Sequence, residues 1–315
     1  MNVNTEQFEI LAQMAAAYGI KQWVLSPGSR CAPITLALVR CPDTQTRSVS
    51  DERSAAYIAL GMAEALGEPV GLLCTSGTAA LNYAPAIAEA FYKKVPLFVL
   101  TADRPPEWLN QQDGQAIPQQ NIYGRTVKGS FELPVSQAHT DERHYFVRIL
   151  SEAMNLCLAG PGGPVHVNVP VREPFYPEPS YKMRFDRPVK MIRENRFIPK
   201  VDKFLMNELA NQWLSTEKKL MVAGQHLPDL DLRNAVHACR TYNSVPVVAD
   251  ITANLSTVEN LVTRHDLFLQ PADAGAFQPD LLVTFGDTLL SKNLKGFLRK
   301  YPAKEHWHIQ AGGDV

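Results

Sequence analysis

The sequence predicts an α/β protein made of open parallel sheets flanked by helices. Two observations carry this. Short apolar runs alternate with longer stretches of helical period along the chain. The runs also end in turn chemistry that leads straight into a helix. Trp23-Val24-Leu25 runs into Ser26-Pro27-Gly28-Ser29-Arg30, and Leu72-Leu73-Cys74 into Thr75-Ser76-Gly77-Thr78-Ala79. Leu97-Phe98-Val99-Leu100 runs into Thr101-Ala102-Asp103-Arg104-Pro105-Pro106. In an open parallel sheet such strand ends share the edge where ligands bind.

Taken in order, an amphipathic helix over 6–18 closes at Gly19. A strand at 22–26 follows, then a helix from Ala32 to Val39 and a short strand near 46–49. Residues 52–66 read as a helix that Asp51 is placed to cap and Gly67 to end. Strand 70–75 leads to a helix over 78–92, and strand 96–101 to an aperiodic stretch, 104–117. Loops that long in compact domains often carry function. Phe131-Glu132-Leu133 reads as a short strand, 141–158 as a helix ended by Gly160-Pro161-Gly162-Gly163, and 164–170 as the last strand of the domain. Residues 172–200, rich in Pro, Arg and Lys, read as a linker laid over the surface. The pattern then restarts. Helix 201–214, strand 219–224, helix 228–240, strands 245–250 and 281–286, helix 291–299 and strand 306–309 make a second, smaller α/β domain. Ala311-Gly312-Gly313-Asp314-Val315 follows that strand with no closing helix, so truncation of a longer protein is expected.

The 315 residues leave room for two domains, and 45% hydrophobic content suits ordinary cores. No apolar run is long enough to span a bilayer, and the first residues lack the basic region and apolar core of a signal peptide. A formal net charge of −1 without any Lys/Arg tract gives no case for nucleic acid. The cysteines (31, 41, 74, 157 and 239) are scattered and odd in number, so reduced thiols in a cytoplasmic protein are expected, without a zinc or iron–sulfur site.

Several residues have two readings. Ser29 and Arg30 are either turn chemistry, with Ser29 capping the next helix, or an anion site with a charge-assisted fork. Glu52 is either a helix-dipole carboxylate or a buried proton relay. Ser76-Gly77-Thr78 either caps a helix or touches an anion or cofactor. Arg104 is delivered by an apolar strand and stiffened by two prolines, which surface chemistry alone does not explain. His139, His144 and His166 lack metal spacing, and His166 reads as packing or surface. Glycines 28, 61 and 77 do not form a dinucleotide fingerprint, and no P-loop occurs.

With these stretches in view, the chain resembles the 2-succinyl-5-enolpyruvyl-6-hydroxy-3-cyclohexene-1-carboxylate synthase family, thiamine-diphosphate enzymes of menaquinone biosynthesis. Ser26–Arg30, Asp51-Glu52-Arg53, Thr75–Ala79, Leu100–Glu107 and Gln115-Ala116-Ile117 match in order and spacing. The resemblance implies a pyrimidine-binding domain at 1–180, a linker at 181–199 and a Rossmann-like central domain at 200–315 that stops before a diphosphate-binding domain. It implies decarboxylation of 2-oxoglutarate on the thiazolium ylide and addition of the four-carbon carbanion to isochorismate.

By the same resemblance, Glu52 is the catalytic and cofactor-binding glutamate on the aminopyrimidine ring. Thr78 lies by the cofactor pyrimidine, while Ser29, Arg30, Arg104, Gln115 and Lys292 bind substrate. Gly114 stands where the family often has Asn. Mg2+ and the diphosphate belong to a Gly-Asp-Gly domain. Neither Gly286-Asp287 nor Gly313-Asp314 supplies that motif, so no metal ligand is expected in this chain and the fragment alone is expected to be inactive. A homodimer or homotetramer is implied, with each site shared between subunits. Alternatives are an acetolactate-synthase-like thiamine-diphosphate decarboxylase or a non-catalytic binding module. The two arginines weigh against the former, since small neutral acceptors need no such clamps.

Overall fold

The computed structural model describes residues 5–195, 201–269 and 272–310. The Gly313-Asp314 pair and the terminal stretch 311–315 lie outside the described residues, as do 196–200 of the expected linker. The chain divides into two compact units, Met1–Asn195 and Arg196–Val315. Among the described residues no helix is long and apolar enough to cross a membrane.

The first unit runs α1 (Glu6–Ala17), β1 (Gln22–Leu25), α2 (Ala32–Arg40), β2 (Gln45–Ser48), α3 (Glu52–Leu66) and β3 (Val70–Cys74). It continues with α4 (Thr78–Asn82), α5 (Ala84–Tyr92), β4 (Leu97–Asp103), β5 (Ser130–Glu132), α6 (Thr140–Leu158) and β6 (Val165–Pro170). The strands form one parallel sheet in the order β2-β1-β3-β4-β6-β5. Side chains alternate across it. Trp23, Leu25, Leu73, Phe98 and Leu100 meet Phe8, Leu11, Leu38 and Phe146 on one face. Val24, Leu72, Leu97 and Val99 meet Ala55, Ala59, Tyr83 and Ile87 on the other. Apolar residues on both faces explain why these strands read as continuous apolar runs. Each fully buried large side chain contributes about 1.5–3 kcal/mol.

The helix expected over 78–92 is two helices, with Tyr83 between them. Pro85 is the cause: it has no N–H to give, and its ring crowds the carbonyl of Leu81. Asp51 caps α3 as expected, its Oδ1 accepting from Ser54 N at 2.7 Å, and Gly67 ends it with φ 65°. The part of the expected linker that precedes residue 196 lies along α1. Buried Glu9 accepts from Tyr181 Oη (2.6 Å), Arg184 N (3.1 Å) and Arg187 Nη1 (2.5 Å), and Tyr18 Oη donates to the Ile192 carbonyl (2.7 Å).

The second unit runs α7 (Lys203–Ser215), β7 (Lys219–Ala223), α8 (Leu230–Asn243), β8 (Val247–Ala249), β9 (Leu281–Phe285), α9 (Lys292–Lys300) and β10 (Glu305–Ile309). Its parallel sheet has the order β10-β9-β7-β8. The strand expected to start at Val245 starts at Val247. Pro246 cannot donate to the ladder, though its carbonyl accepts from Met221 N at 3.0 Å.

Gly71 in β3 faces the buried Trp23 ring, and a Cβ there would lie 2.3 Å from its carbons. Gly71→Ala should destabilise the first unit by about 1–3 kcal/mol through overpacking. Urea unfolding followed by tryptophan fluorescence checks this, and an unchanged midpoint would contradict it.

Candidate active site

The β1–α2, β2–α3 and β3–α4 turns of the first unit and the loop after β4 emerge at one edge of its parallel sheet. The turn after β1 packs on the turn after β3: a Cβ on Gly28 would lie 2.4 Å from Thr75 Cβ, so only glycine allows the approach. Ser29 does not cap α2. Cys31 is the N-cap residue, with no side-chain capping bond, and the Ser29 carbonyl accepts from Ala32 N (3.1 Å). The correction follows from one extra residue of turn, which leaves Ser29 exposed at the rim and turns Arg30 inward.

Glu52 is the first residue of α3 and is half-buried. Burial pushes the Cys74 thiol well up, and the neighbouring Cys31 and the Glu52 carboxylate add to it. Burial also raises Cys31, with Glu52 again adding. The carboxyl therefore lies within electrostatic reach of the end of β3 and the start of α2. Beyond β3, Gly77 has φ 85° and gives its N–H to Gln119 Oε1 at 2.7 Å. Thr78, the first residue of α4, is exposed.

Arg104 directly follows β4 and is buried. Its Nε donates to Asp113 and its Nη2 to the Gly114 carbonyl, while Nη1 donates to Ser76 Oγ (2.8 Å) and the Gln115 carbonyl (2.7 Å). Gln115 has φ 57°, and its backbone closes over Gly77, where a Cβ would meet its carbonyl oxygen at 2.8 Å. The Gln115 side chain belongs to an exposed residue. Arg30 donates to the Val171 carbonyl (2.9 Å), lies 4.7 Å over the Phe175 ring and has Glu173 at 3.8 Å. Burial lowers the Arg30 pKa, and the charge of Arg104 lowers it further, against Glu173, Asp113 and Asp103. The two guanidinium groups thus share one field. Lys292 lies in the second unit as the first residue of α9, exposed beside the capping Ser291.

Sequence reasoning missed the support beneath Arg104. On the face of β4 and β6 opposite Phe98 and Val167, the side chains turn polar: Thr101, Asp103, His166 and Asn168. Buried Gln119 and Tyr123, from the loop between β4 and β5, pack against them. Asn168 Oδ1 accepts from Thr101 (3.0 Å) and Gln119 Nε2 (3.0 Å), and its Nδ2 donates to Asp103 Oδ2 (2.9 Å). Asp103 Oδ1 accepts from Arg104 N (2.7 Å). His166 bonds Thr101 (2.8 Å) and Ser130 (3.0 Å) and meets Tyr123 edge-on at 4.9 Å. The available signal was His166 and Asn168 alternating inside an apolar strand, since buried polar groups need partners.

Residues 6–123 match the family model described as thiamine pyrophosphate enzyme, N-terminal TPP binding domain. The stretch similar to that domain lies within the first unit. Nearly the whole chain is also similar to proteins named 2-succinyl-5-enolpyruvyl-6-hydroxy-3-cyclohexene-1-carboxylate synthase. Identity is 42% over 310 residues with that of Cytophaga hutchinsonii, 37% over 300 with that of Porphyromonas gingivalis and 37% over 303 with that of Desulfotalea psychrophila. These alignments take in 98, 95 and 95% of the chain and 53, 52 and 56% of the relatives. The chain therefore spans about half the length of the curated relatives it matches. In the first unit, the matched residues hold Glu52, both arginines and Gln119, while Asn168 lies beyond them.

Burial pushes the His166 pKa down to about 3, so the folded ring is neutral. The unfolded ring titrates near about 6.5. Its contribution to stability is therefore complete above about pH 6.5 and is lost as pH falls towards about 3. His166→Gln should flatten the pH dependence of unfolding by up to about 1.4 kcal/mol per pH unit between those limits. Comparing the two proteins isolates the ring from Asp103 and Glu132, whose carboxyls burial pushes up. Parallel stability curves for variant and wild type would contradict the assignment.

Proposed function

We propose that this chain is part of a thiamine-diphosphate-dependent synthase that decarboxylates 2-oxoglutarate and joins the four-carbon remainder to isochorismate in menaquinone biosynthesis. The observation that carries the reading is the pair of inward-turned arginines, Arg30 and Arg104, at the sheet edge that also delivers Glu52. The names of the relatives point to the same reaction. Both substrates are carboxylic acids, and a guanidinium fork suits a carboxylate.

The residues present fit the pyrimidine end of the cofactor. Glu52 stands at a helix start within electrostatic reach of the buried thiols of Cys31 and Cys74. A half-buried carboxyl there is suited to sharing a proton with a ring nitrogen. Bound thiamine diphosphate supplies a carbon acid and a sink for the electron pair released on decarboxylation. Glu52 holds the proton at the aminopyrimidine ring, and Thr78 borders that ring. Arg30 and Arg104 orient substrate carboxylates, and Ser29 and Gln115 border them at the rim. Among the described residues no group of three or more His, Cys, Asp or Glu side chains could hold a metal ion. By resemblance alone, Mg2+ and the diphosphate are assigned to the family's Gly-Asp-Gly domain. A homodimer or homotetramer in the cytoplasm completes the reading.

The test uses the full-length, Mg2+-loaded protein. It should form product from 2-oxoglutarate and isochorismate, and absence of product would overturn the reading. Glu52→Gln should slow hydrogen–deuterium exchange at the thiazolium carbon by about a hundredfold or more. Unchanged exchange would remove Glu52 from its role.

A further inference from the structure

The loop after β4 turns back on Arg104 and occupies it. A guanidinium has five N–H donors. The bonds to Asp113, Ser76, Gln115 and Gly114 use all but one of them. Gripping a carboxylate in a fork takes two parallel N–H groups, and Arg104 in this arrangement cannot offer them. Arg30 differs. Among the described residues it gives one N–H to the Val171 carbonyl, lies over the Phe175 ring and has the distant, 70% exposed Glu173 beside its other end. One arginine is open and the other is held.

Of the groups on Arg104, only Asp113 has the chemistry of a substrate group. Ser76 and the two backbone carbonyls are neutral. Asp113 is also the solvent-side partner, its side chain 44% exposed against 9% for Arg104. The bond to Arg104 holds its carboxyl below the usual range, so it is charged near neutral pH. Releasing Nε would return the second donor that a fork needs.

We propose that Asp113 is a positioning residue that holds Arg104 in place of a substrate carboxylate, so that an acidic substrate must displace Asp113 before both arginines can grip it. The proposal rests on the synthase reading, in which the substrates are acids. Partly exposed ion pairs are weak, so the competition is modest, a factor of about two to five in affinity.

The experiment measures Asp113→Asn and Asp113→Ser in the full-length protein loaded with thiamine diphosphate and Mg2+. KM for at least one of 2-oxoglutarate and isochorismate should fall about two- to five-fold in each variant, with no rise in kcat. Calorimetric binding of 2-oxoglutarate should not weaken. An Asp113 that only braces the loop predicts the opposite, a higher KM or a lower kcat. Unchanged or raised KM for both substrates in both variants, in a protein whose wild type turns them over, overturns the proposal and leaves the synthase reading standing. A wild type that neither binds 2-oxoglutarate nor consumes it removes both.

Discussion

The amide of Asn168 is buried in β6, and the geometry of the sheet edge depends on how it is satisfied. A buried polar group left without partners costs about 1–3 kcal/mol. Asn168 avoids that by binding Thr101 and Asp103 of β4 and Gln119 of the long loop. Through Asp103 the constraint reaches the Arg104 backbone, and through Gln119 it reaches the Gly77 amide. Two strand ends and one loop are thereby tied to a single amide. Polar networks of this kind specify one arrangement when every member is paired.

On that base the first unit carries two guanidinium groups with restricted access to water. Their side chains are 13% and 9% exposed. Bringing like charges together in a partly desolvated place opposes folding, and the lowered Arg30 pKa reflects it. Asp113, Asp103 and Glu173 offset the repulsion only in part. A partly buried guanidinium with donors still open, as at Arg30, is suited to a carboxylate, which is why the acidic substrates of the proposed reaction agree with the local physics.

The layered α/β architecture was legible because its signals are local. Apolar runs, Gly-containing turns and the Asp51 cap each act within a few residues, and the order of elements followed from them. Pro85 and Pro246 displaced boundaries where the missing N–H outweighed a longer apolar pattern. At the site, Arg30, Glu52 and Arg104 could be singled out because a strand tip or helix start delivers each to the ligand edge. Gln119 and Asp113 could not, since their partners lie on other turns and loop segments and only the folded loop selects them. Ser29 misled for a related reason: a serine after Pro-Gly looks like a cap, but the turn runs one residue further. His166 and Asn168 sit between these cases, with the polar alternation visible in sequence and the partners not.

If the sheet edge is organised by this shared amide, Asn168 and Gln119 must act as one unit. A double-mutant cycle with Asn168→Leu and Gln119→Leu, measured by urea unfolding at neutral pH, tests this most directly. Cooperative support predicts a coupling of about 1 kcal/mol or more between the two sites. Additive losses, agreeing to within about 0.3 kcal/mol, would show that the two side chains stabilise the fold independently and would contradict the account.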